Sequence, residues 1–342
     1  MVPGYVHHTG HHCGSTALRN LLAFHGCEIS EEMAFGLGAG AAFFYVPLDG
    51  QSPSRFTNGR TARLEENFLE LTGAPLRLRT DPDPDRCWQL ARADVNDGRP
   101  VLLLTDLYYL DHYGTSAHFP GHAVVLAGYD SQNAWLSDTG FEELQSTRLE
   151  HLAQARHSKH PAFPLDGQMI DLAPSSGGGG PGTRAALDAG RLRSAAPAAI
   201  ARAAQGMLEP EMGDYQGLPA LERLAAEIGS WPETVADPEW CARFLFQVIE
   251  RRGTGGGNFR SMYSRFLKEA GYGQGSELAS DAARRWTSLA GAARTVSEDG
   301  EAEHARWAAL SAETRAVLEA ERRLWESLAR AQTNSGKSRR RA

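Results

Sequence analysis

Cys13 is the residue of this sequence whose setting best suits nucleophilic chemistry. It ends the histidine-rich run HHTGHHC and precedes residues 15–24, whose apolar positions share one helical face, with Gly26 as a stop signal. A helix N-terminus presents unpaired backbone N–H groups and the positive end of the peptide dipoles, and both favour thiolate over thiol. The sequence therefore predicts a nucleophilic cysteine at the start of a helix.

A nucleophilic cysteine needs a base, and residues 121–138 offer one together with an orienting acid. Their pattern is typical of a β-hairpin, with an apolar strand that begins at His122, a polar turn, and a second strand that ends in Asp138. The start of the first strand lies beside the end of the second in an antiparallel pair, so His122 and Asp138 are predicted to meet. Asp130 is a rival acid, but it lies at the far end of the hairpin.

Histidine and cysteine are also the standard zinc ligands, so the run around Cys13 has to be weighed as a metal site. Neighbouring residues of one segment seldom point at one centre, and a closed zinc site usually draws its ligands from two segments. We therefore expect no metal there. The other cysteines have apolar or aromatic neighbours and are predicted to be small buried residues: Cys27, Cys87 and Cys241.

Length, composition and charge restrict the class of protein. The chain has 342 residues, 42% hydrophobic and 23% charged, as in a globular protein of about two domains. A formal net charge of −7 argues against a general nucleic-acid binder, and the basic run 337–341 is a terminal tail. No stretch approaches the roughly 20 apolar residues of a membrane span, and signal-peptide features are lacking. We therefore expect a cytoplasmic protein with neither nucleic acid nor membrane as partner.

The chain is predicted to divide at a glycine-rich segment. Residues 1–174 mix helices with strands, residues 175–182 suit only a flexible linker, residues 183–331 have helical spacing, and residues 332–342 form a disordered basic tail. The predicted fold class is therefore α+β in the first domain, followed by an all-α domain. In the first domain helices are predicted at 14–25, 61–72 and 84–95, and strands at 42–46, 75–79, 100–108, 122–129, 134–138 and 168–172. In the second domain helices are predicted at 184–208, 219–229, 238–251, 256–270, 277–297 and 302–331.

The order of the three reactive residues resembles that of the papain-like cysteine enzymes, and more narrowly of the peptidases that trim leader sequences from bacteriocins. Residues 8–18 (HTGHHCGSTAL) and 30–38 (SEEMAFGLG) are closer still to the N-terminal domain of the butirosin biosynthesis protein H family of amide-forming acyltransferases. The segment RRGTGGGNFR at 251–260 looks like the companion helical domain of such proteins. The resemblance spans most of the chain and implies a papain-like catalytic domain at 1–174.

The resemblance also implies an activity. An acyl group would pass from the phosphopantetheine thioester of an acyl carrier protein, through Cys13, to a small-molecule amine in an aminoglycoside-like pathway, with no cofactor held by the chain itself. His122 would transfer protons and Asp138 would orient it. A cysteine peptidase or amidase that uses water as acceptor is the alternative, and the intact residue set argues against a third hypothesis, a non-catalytic binding protein. A homo-oligomer is left open.

The oxyanion donor departs from the papain-like pattern. Those enzymes use the backbone N–H of the nucleophile and an upstream side chain, commonly a glutamine, which this chain lacks. His7 or His8 could take its place as a neutral donor, and the spacing favours His8. His12 and Gly14 complete the predicted oxyanion or substrate contacts, Gly14 because it permits close approach. Such a donor is worth about 3 kcal/mol of barrier.

Two glycine-rich loops invite a ligand-binding interpretation. Residues 36–40 (GLGAG) lack the flanking strand and lysine of a nucleotide loop, which favours a tight turn into strand 42–46, with a substrate slot beside Cys13 as the alternative. Residues 253–257 and their arginines have the make-up of an anion cradle for a carrier protein, against the alternative of an ordinary interhelical loop. The cradle residues would be Arg251, Arg252, Gly255, Gly256 and Arg260.

Overall fold

The computed structural model describes residues 1–48, 50–161, 163–173, 187–298 and 304–339. The strands in this part of the chain are β1 (Ala41–Pro47), β2 (Arg55–Arg60), β3 (Leu76–Arg79), β4 (Val101–Asp106), β5 (Pro120–Tyr129), β6 (Asn133–Ser137), β7 (Gln145–Arg148) and β8 (Met169–Leu172). β1 and β2 form an antiparallel pair. The other described strands form an antiparallel sheet in the order β3-β8-β4-β5-β6-β7.

Helices occupy both halves of the chain and dominate the second. In the described residues they are α1 (Cys13–Phe24), α2 (Glu31–Leu37), α3 (Leu64–Thr72), α4 (Pro84–Asn96), α5 (Leu149–Arg156), α6 (Ala189–Arg193), α7 (Ala196–Leu208), α8 (Gly217–Glu227), α9 (Trp231–Thr234), α10 (Pro238–Glu250), α11 (Arg260–Glu269), α12 (Gly273–Glu298) and α13 (His304–Arg339). Single 3₁₀ turns lie at Leu107–Tyr109, Gly213–Tyr215 and Ile228–Ser230. The sheet in the N-terminal region and the helices in the C-terminal region confirm the predicted order of structure types.

Two compact units make up the chain, and each contains two sequence segments. The first unit is Met1–Ala34 with Leu64–Ser194, and the second is Phe35–Arg63 with Ala195–Ala342. The predicted division kept residues 1–174 together, whereas the structure assigns the β1–β2 hairpin to the second unit. The predicted linker at 175–182 lies outside the described residues.

The β1–β2 hairpin belongs to the second unit because its side chains and backbone are built into that core. The ring of Phe43 packs against Trp286 at 5.3 Å between centroids, and that of Phe56 packs against Phe244 at 5.7 Å. Its carbonyl oxygens also accept hydrogen bonds from a buried arginine of α11. Aromatic side chains bury large apolar areas, so these contacts stabilise the hairpin where it lies.

The first unit is organised around the central strands β4 and β5. Val101 and Leu103 of β4 lie opposite Leu126 and Val124 of β5, and these four side chains join residues of α4 and α5 in one buried apolar cluster. Each fully buried side chain of this size contributes about 1.5–3 kcal/mol. This cluster therefore stabilises β4 and β5, the strands next to the candidate site.

The start of α1 is set by the residue that precedes it. His12 has an extended backbone, with φ −108° and ψ 128°, and its Nδ1 accepts a hydrogen bond from the backbone N–H of Ser15 at 3.3 Å. A side-chain acceptor at this position satisfies one of the unpaired N–H groups of the first turn. Cys13 is consequently the first residue of the helix, which ends at Phe24 before Gly26 in the left-handed conformation, φ 81°.

A buried ion pair joins the helices of the second unit. Arg260 of α11 donates two hydrogen bonds to the carboxylate of Glu321 in α13, at 2.8 and 3.0 Å. The indole N–H groups of Trp286 and Trp325 donate to the same carboxylate, each at 2.6 Å. Both members of the pair are fully buried. Four donors on one carboxylate are what make such burial tolerable.

Some elements have no counterpart in the sequence prediction. They are α2, β2, β7, α5 and α9, which are short and carry little periodicity. The prediction of a disordered tail at 332–342 is also corrected, because α13 continues to Arg339. No proline interrupts the helix there. Residues 340–342 lie outside the described residues. Among the residues that the structure describes, no helix has the length and apolar character needed to cross a membrane.

Candidate functional site

Cys13 lies half-buried at the first position of α1 and forms no disulfide. The loop before it is held by Glu31, a buried acid of α2. The Glu31 carboxylate accepts the backbone N–H of His11 at 3.0 Å and that of His12 at 2.7 Å, and the hydroxyl of Ser15 donates to it at 3.3 Å. Glu31 therefore holds the backbone before the cysteine and the Ser15 side chain after it. Sequence reasoning missed it because an acid in the first turn of a helix is usually exposed.

Two glycines near this cysteine, Gly10 and Gly14, lie against acidic side chains. A side chain at Gly10 would collide with Thr16 and with the Glu31 carboxylate, and one at Gly14 would collide with the carboxylate of Glu65. Both glycines therefore permit the close approach of acidic side chains to the nucleophile loop. The neighbour of Gly14 in the structure is Glu65, and the predicted contact of Gly14 with an oxyanion or substrate stays a prediction.

His122 and Asp138 come together at the open end of the β5–β6 hairpin. Val125 lies opposite Ser137 in the register of these strands, so the start of β5 lies beside the residue that follows β6. His122 Nε2 donates to both carboxylate oxygens of Asp138, at 3.0 and 3.1 Å. Both residues are buried.

Asp130 lies at the opposite end of the same hairpin and has a structural task. It is exposed, and its Oδ1 accepts the backbone N–H groups of Gln132 and Asn133, each at 2.7 Å. These bonds lower the pKa of Asp130. The residue therefore shapes the turn and does not contact His122.

Cys13 completes the arrangement through the other side of the imidazole. A side-chain hydrogen bond links Cys13 to His122. Because Nε2 of the ring faces Asp138, Nδ1 is the nitrogen left for the sulfur. The three residues thus form a continuous chain of thiol, imidazole and carboxylate.

The charges of this chain reinforce one another. Burial disfavours a protonated imidazole, but the Asp138 carboxylate and the Cys13 sulfur outweigh it and raise the pKa of His122 to about 10. Burial also disfavours the carboxylate, yet His122 and His112 hold the pKa of Asp138 well below its usual range. At neutral pH the site therefore contains an imidazolium beside a carboxylate, which is the state that stabilises a thiolate.

Two residues of the loop between β4 and β5 also contact Asp138. His112 Nε2 donates to Oδ2 at 2.9 Å, and the hydroxyl of Tyr113 donates to Oδ1 at 3.2 Å. Burial and the neighbouring carboxylate raise the pKa of Tyr113 far above its usual value, so its hydroxyl stays a donor. β4 and β5 are antiparallel partners, so the loop that joins them lies close to the start of β5, where His122 is. A predicted pairing of these two strands would therefore have drawn attention to both loop residues.

Comparison with known families adds an independent observation. Residues 12–139 match the family described as butirosin biosynthesis protein H, N-terminal, and residues 150–328 match a domain of unknown function, DUF4872, which covers about half of the chain. The chain belongs to the butirosin biosynthesis protein H-like family. A search of curated proteins found no match. The matched N-terminal region contains Cys13, His122 and Asp138.

The histidines that precede Cys13 in this family member make different contacts. Both ring nitrogens of His7 are engaged, by the hydroxyl of Ser137 and the carbonyl oxygen of Phe141, each at 2.7 Å. This corrects the expectation that His7 is available as an oxyanion donor. His12 caps α1, and His8 is exposed, with its carbonyl oxygen bonded to the side chain of Asn20 at 2.9 Å. The predicted role of His8 toward an oxyanion stays a prediction.

The predicted anion cradle of this family member has a different structure from the one expected. The N–H of Gly256 donates to the Thr254 hydroxyl at 3.1 Å, and that of Gly257 donates to the Glu250 carboxylate at 3.2 Å. An anion would meet amides already in use and a carboxylate. Gly255, half-buried with φ 63°, serves the turn of the chain.

The arginines beside this loop have their own partners. Arg260 is fully buried against Glu321, so the expected contact with a carrier protein is wrong for this residue. Arg251 and Arg252 are exposed and lie over the rings of Phe246 and Phe244, at 5.9 and 4.9 Å. Glycine and arginine content alone could not reveal these contacts, because the carboxylate partner of Arg260 is 61 residues away along the chain.

The remaining cysteines differ from Cys13 in their surroundings. Cys27, Cys87 and Cys241 are buried and free of disulfides, as predicted. Burial raises the pKa of each of these thiols. Within the described ranges no group of three or more histidine, cysteine or acidic side chains is arranged to hold a metal ion.

An open cleft lies beside the nucleophile loop. Its volume is about 470 Å³, and its lining comprises Thr9, Gly10, His11, Arg19, Ser30, Glu31 and Glu32. It shares the 9–11 segment with the candidate site but not the reactive side chains. Asp106, another buried acid of the first unit, accepts hydrogen bonds from the ring of His118, which is 32% exposed, at 2.7 Å and from the hydroxyl of Ser158 at 2.8 Å. The bond from His118 is thus a second contact between an imidazole and a buried carboxylate in this unit.

Proposed function

We propose that this chain is a cysteine-dependent acyltransferase with a papain-like first unit. The observation that carries the proposal is the link from Cys13 through His122 to the buried carboxylate of Asp138. A helix that begins at the nucleophile and an antiparallel sheet that supplies the base support the papain-like interpretation. The match to the butirosin biosynthesis protein H family supports a role in antibiotic biosynthesis.

The first half-reaction loads the enzyme. The Cys13 thiolate attacks the carbonyl carbon of a carrier-bound thioester, so that a new carbon–sulfur bond forms and the bond to the phosphopantetheine sulfur breaks. The His122 imidazolium gives its proton to the departing thiolate, and Asp138 keeps the ring oriented. The products are a Cys13 thioester, a neutral His122 and the free carrier thiol.

The second half-reaction transfers the acyl group to an amine. The amine nitrogen attacks the Cys13 thioester, His122 accepts the proton that the nitrogen loses, and the bond from carbon to the Cys13 sulfur breaks. The thiolate and the imidazolium are restored, so the cycle is balanced without a cofactor. The first turn of α1 would hold the oxyanion of each tetrahedral intermediate, because helix N-terminal N–H groups and dipoles favour negative charge.

The partners in this proposal follow from the chemistry. The donor is an acyl carrier protein, and the acceptor is a small amine, such as an aminoglycoside-like molecule, whose positive charge suits a protein of net charge −7. We place the reaction in the cytoplasm, where reducing conditions keep thiols free. Neither nucleic acid nor membrane has a part in it.

One experiment tests the proposal directly. The full chain is incubated with an acyl-pantetheine thioester, intact mass is recorded, and an amine is then added. We expect one acyl adduct that maps to Cys13, is absent in Cys13→Ala, persists in Cys241→Ser, and is released by the amine faster than by water. Release by water alone would indicate a hydrolase with the same residues. A wild-type protein that forms no adduct would exclude both enzymes.

A further inference from the structure

A second imidazole, that of His112, donates a hydrogen bond to the carboxylate of Asp138 and has no part in the proposed reaction steps. The bond from His112 Nε2 to Asp138 Oδ2, at 2.9 Å, is the shortest of the described hydrogen bonds to this carboxylate. The His112 side chain is only 5% exposed. An imidazole buried this deeply against the orienting acid has few other groups through which it could act.

Each carboxylate oxygen of Asp138 accepts two of the four hydrogen bonds. His112 bonds Oδ2 from one side, Tyr113 bonds Oδ1 from the other at 3.2 Å, and Nε2 of His122 lies between them at 3.0 and 3.1 Å. The plane of the carboxylate is thus fixed by the outer two donors. Because His122 bonds both oxygens, rotation of that plane would break at least one of its bonds.

His112 is itself anchored, which an orienting group has to be. Its Nδ1 is 3.3 Å from the hydroxyl of Thr147, a buried residue of β7. The ring packs edge-on against Phe141, with 5.0 Å between centroids and an interplanar angle of 85°. A side chain held at both nitrogens and at its ring face transmits position to what it touches.

We propose that His112 is a positioning residue that fixes the carboxylate of Asp138, and through it the imidazole of His122, for reaction at Cys13. The inference rests on the proposed function, because it deepens the description of the same site. His112 itself touches neither Cys13 nor the substrate in this proposal. Its effect passes entirely through Asp138, and that is the property to be tested.

The test measures alkylation of Cys13 by iodoacetamide across pH 4–10, followed by intact mass, which needs no acyl donor. His112→Phe removes the donor and keeps a ring against Phe141, whereas His112→Gln keeps an N–H group toward Asp138. Thr147→Val removes the anchor on Nδ1 and leaves the imidazole in place. His118→Phe is the control, because it removes an imidazole donor from another buried acid, Asp106.

We expect His112→Phe to slow alkylation at neutral pH roughly 10- to 100-fold, the range for one hydrogen bond to a charged group. The pH range of fast alkylation should also narrow in this variant. A His122 imidazolium that Asp138 orients less precisely loses its proton at lower pH and stabilises the thiolate less. His112→Gln should recover most of the rate, and Thr147→Val should change it in the same direction as His112→Phe but less. His118→Phe should match the wild type.

A double-mutant cycle decides whether the effect passes through Asp138. If it does, adding His112→Phe to Asp138→Asn changes nothing further. Additive effects would overturn the proposal, and so would a folded His112→Phe or Thr147→Val protein with the wild-type profile. Loss of folding in His112→Phe, seen as a lost melting transition, leaves the same decision to Thr147→Val and His112→Gln. A wild-type Cys13 without enhanced reactivity at neutral pH would instead contradict the proposed function itself.

Discussion

In each unit of this protein a buried carboxylate accepts four hydrogen bonds from side chains, and the two carboxylates, Asp138 and Glu321, differ in the donors that surround them. Asp138 in the first unit accepts from two imidazoles and a phenol. Glu321 in the second unit accepts from a guanidinium and two indoles. Both acids are fully buried.

The donors of Asp138 can exchange protons, whereas those of Glu321 cannot. An imidazole changes its charge near physiological pH, but a guanidinium stays protonated and an indole only donates. A carboxylate among imidazoles can therefore direct proton transfer, and one between Arg260 and the tryptophans only holds helices together. In the proposed function, the same burial and the same number of partners thus serve reactivity in the first unit, whereas in the second they serve architecture.

The sharpest way to break this comparison is Asp138→Asn. The change keeps the size of the side chain but removes the charge that supports the His122 imidazolium, so we expect acyl-adduct formation to fall roughly 10²- to 10⁴-fold. Adduct formation rates from intact mass measure this effect. Asp130→Asn, in the same hairpin, should change the rate less than about threefold, because Asp130 bonds only the turn backbone.

Equal losses in these two variants would mean that the hairpin matters only as a scaffold. An unchanged rate in Asp138→Asn would show that the amide orients His122 as well as the carboxylate does. Either result would remove the distinction between the reactive acid and the architectural one.

The second test concerns the architectural acid. Glu321→Gln leaves the Arg260 charge buried without its counter-ion, which typically costs about 3–5 kcal/mol of the free energy of unfolding. Urea unfolding measures this cost. Glu319→Gln on the same helix removes a partner that is 59% exposed in its pair with Arg322, and should cost less than about 1 kcal/mol. A Glu321→Gln protein no less stable than Glu319→Gln would contradict the role assigned to the ion pair.

The reactive residues were predictable from sequence because local pattern places each of them. Periodicity sets the start of α1 at Cys13, and the alternation and turn of one hairpin set the register that brings His122 beside Asp138. The contact between His122 and Asp138 follows from the hairpin alone and needs no long-range information. The contact between Cys13 and the hairpin depends on tertiary packing, and only the family resemblance predicted it.

The supporting residues were not predictable in the same way. His112 lies in a loop without periodicity, and Glu31 begins a short helix whose buried carboxylate is revealed only by the amides it accepts. Arg260 was misinterpreted because its glycine-rich neighbourhood suggests an anion site. Its true partner is on another helix, and no local signal connects Arg260 with Glu321. Sequence pattern thus identifies the residues proposed to react better than the residues that hold them in place.

The last expected effect is gradual, a pH dependence of stability that the Asp138 cluster should show and the Glu321 cluster should not. A histidine in an unfolded chain titrates near 6.5, whereas the pKa of His122 is raised to about 10 in the folded protein. Its contribution to stability is therefore complete below about pH 6.5 and is lost as the pH rises toward 10. The slope contributed by one such proton approaches about 1.4 kcal/mol per pH unit.

Urea unfolding at pH 6.0–9.5 of Cys13→Ala and of Cys13→Ala/His122→Gln isolates this contribution, because neither protein contains the Cys13 thiol, whose loss of a proton beside the imidazolium would cancel the proton that His122 gains. We expect the difference between the two stability curves to shrink steadily with rising pH, while Glu321→Gln lowers the curve of Cys13→Ala without changing its slope. Parallel curves for the two Cys13→Ala proteins would mean that the imidazole holds no extra proton in the folded state. The Asp138 cluster would then be as static as that of Glu321, and the thiolate of Cys13 would need another source of stabilisation.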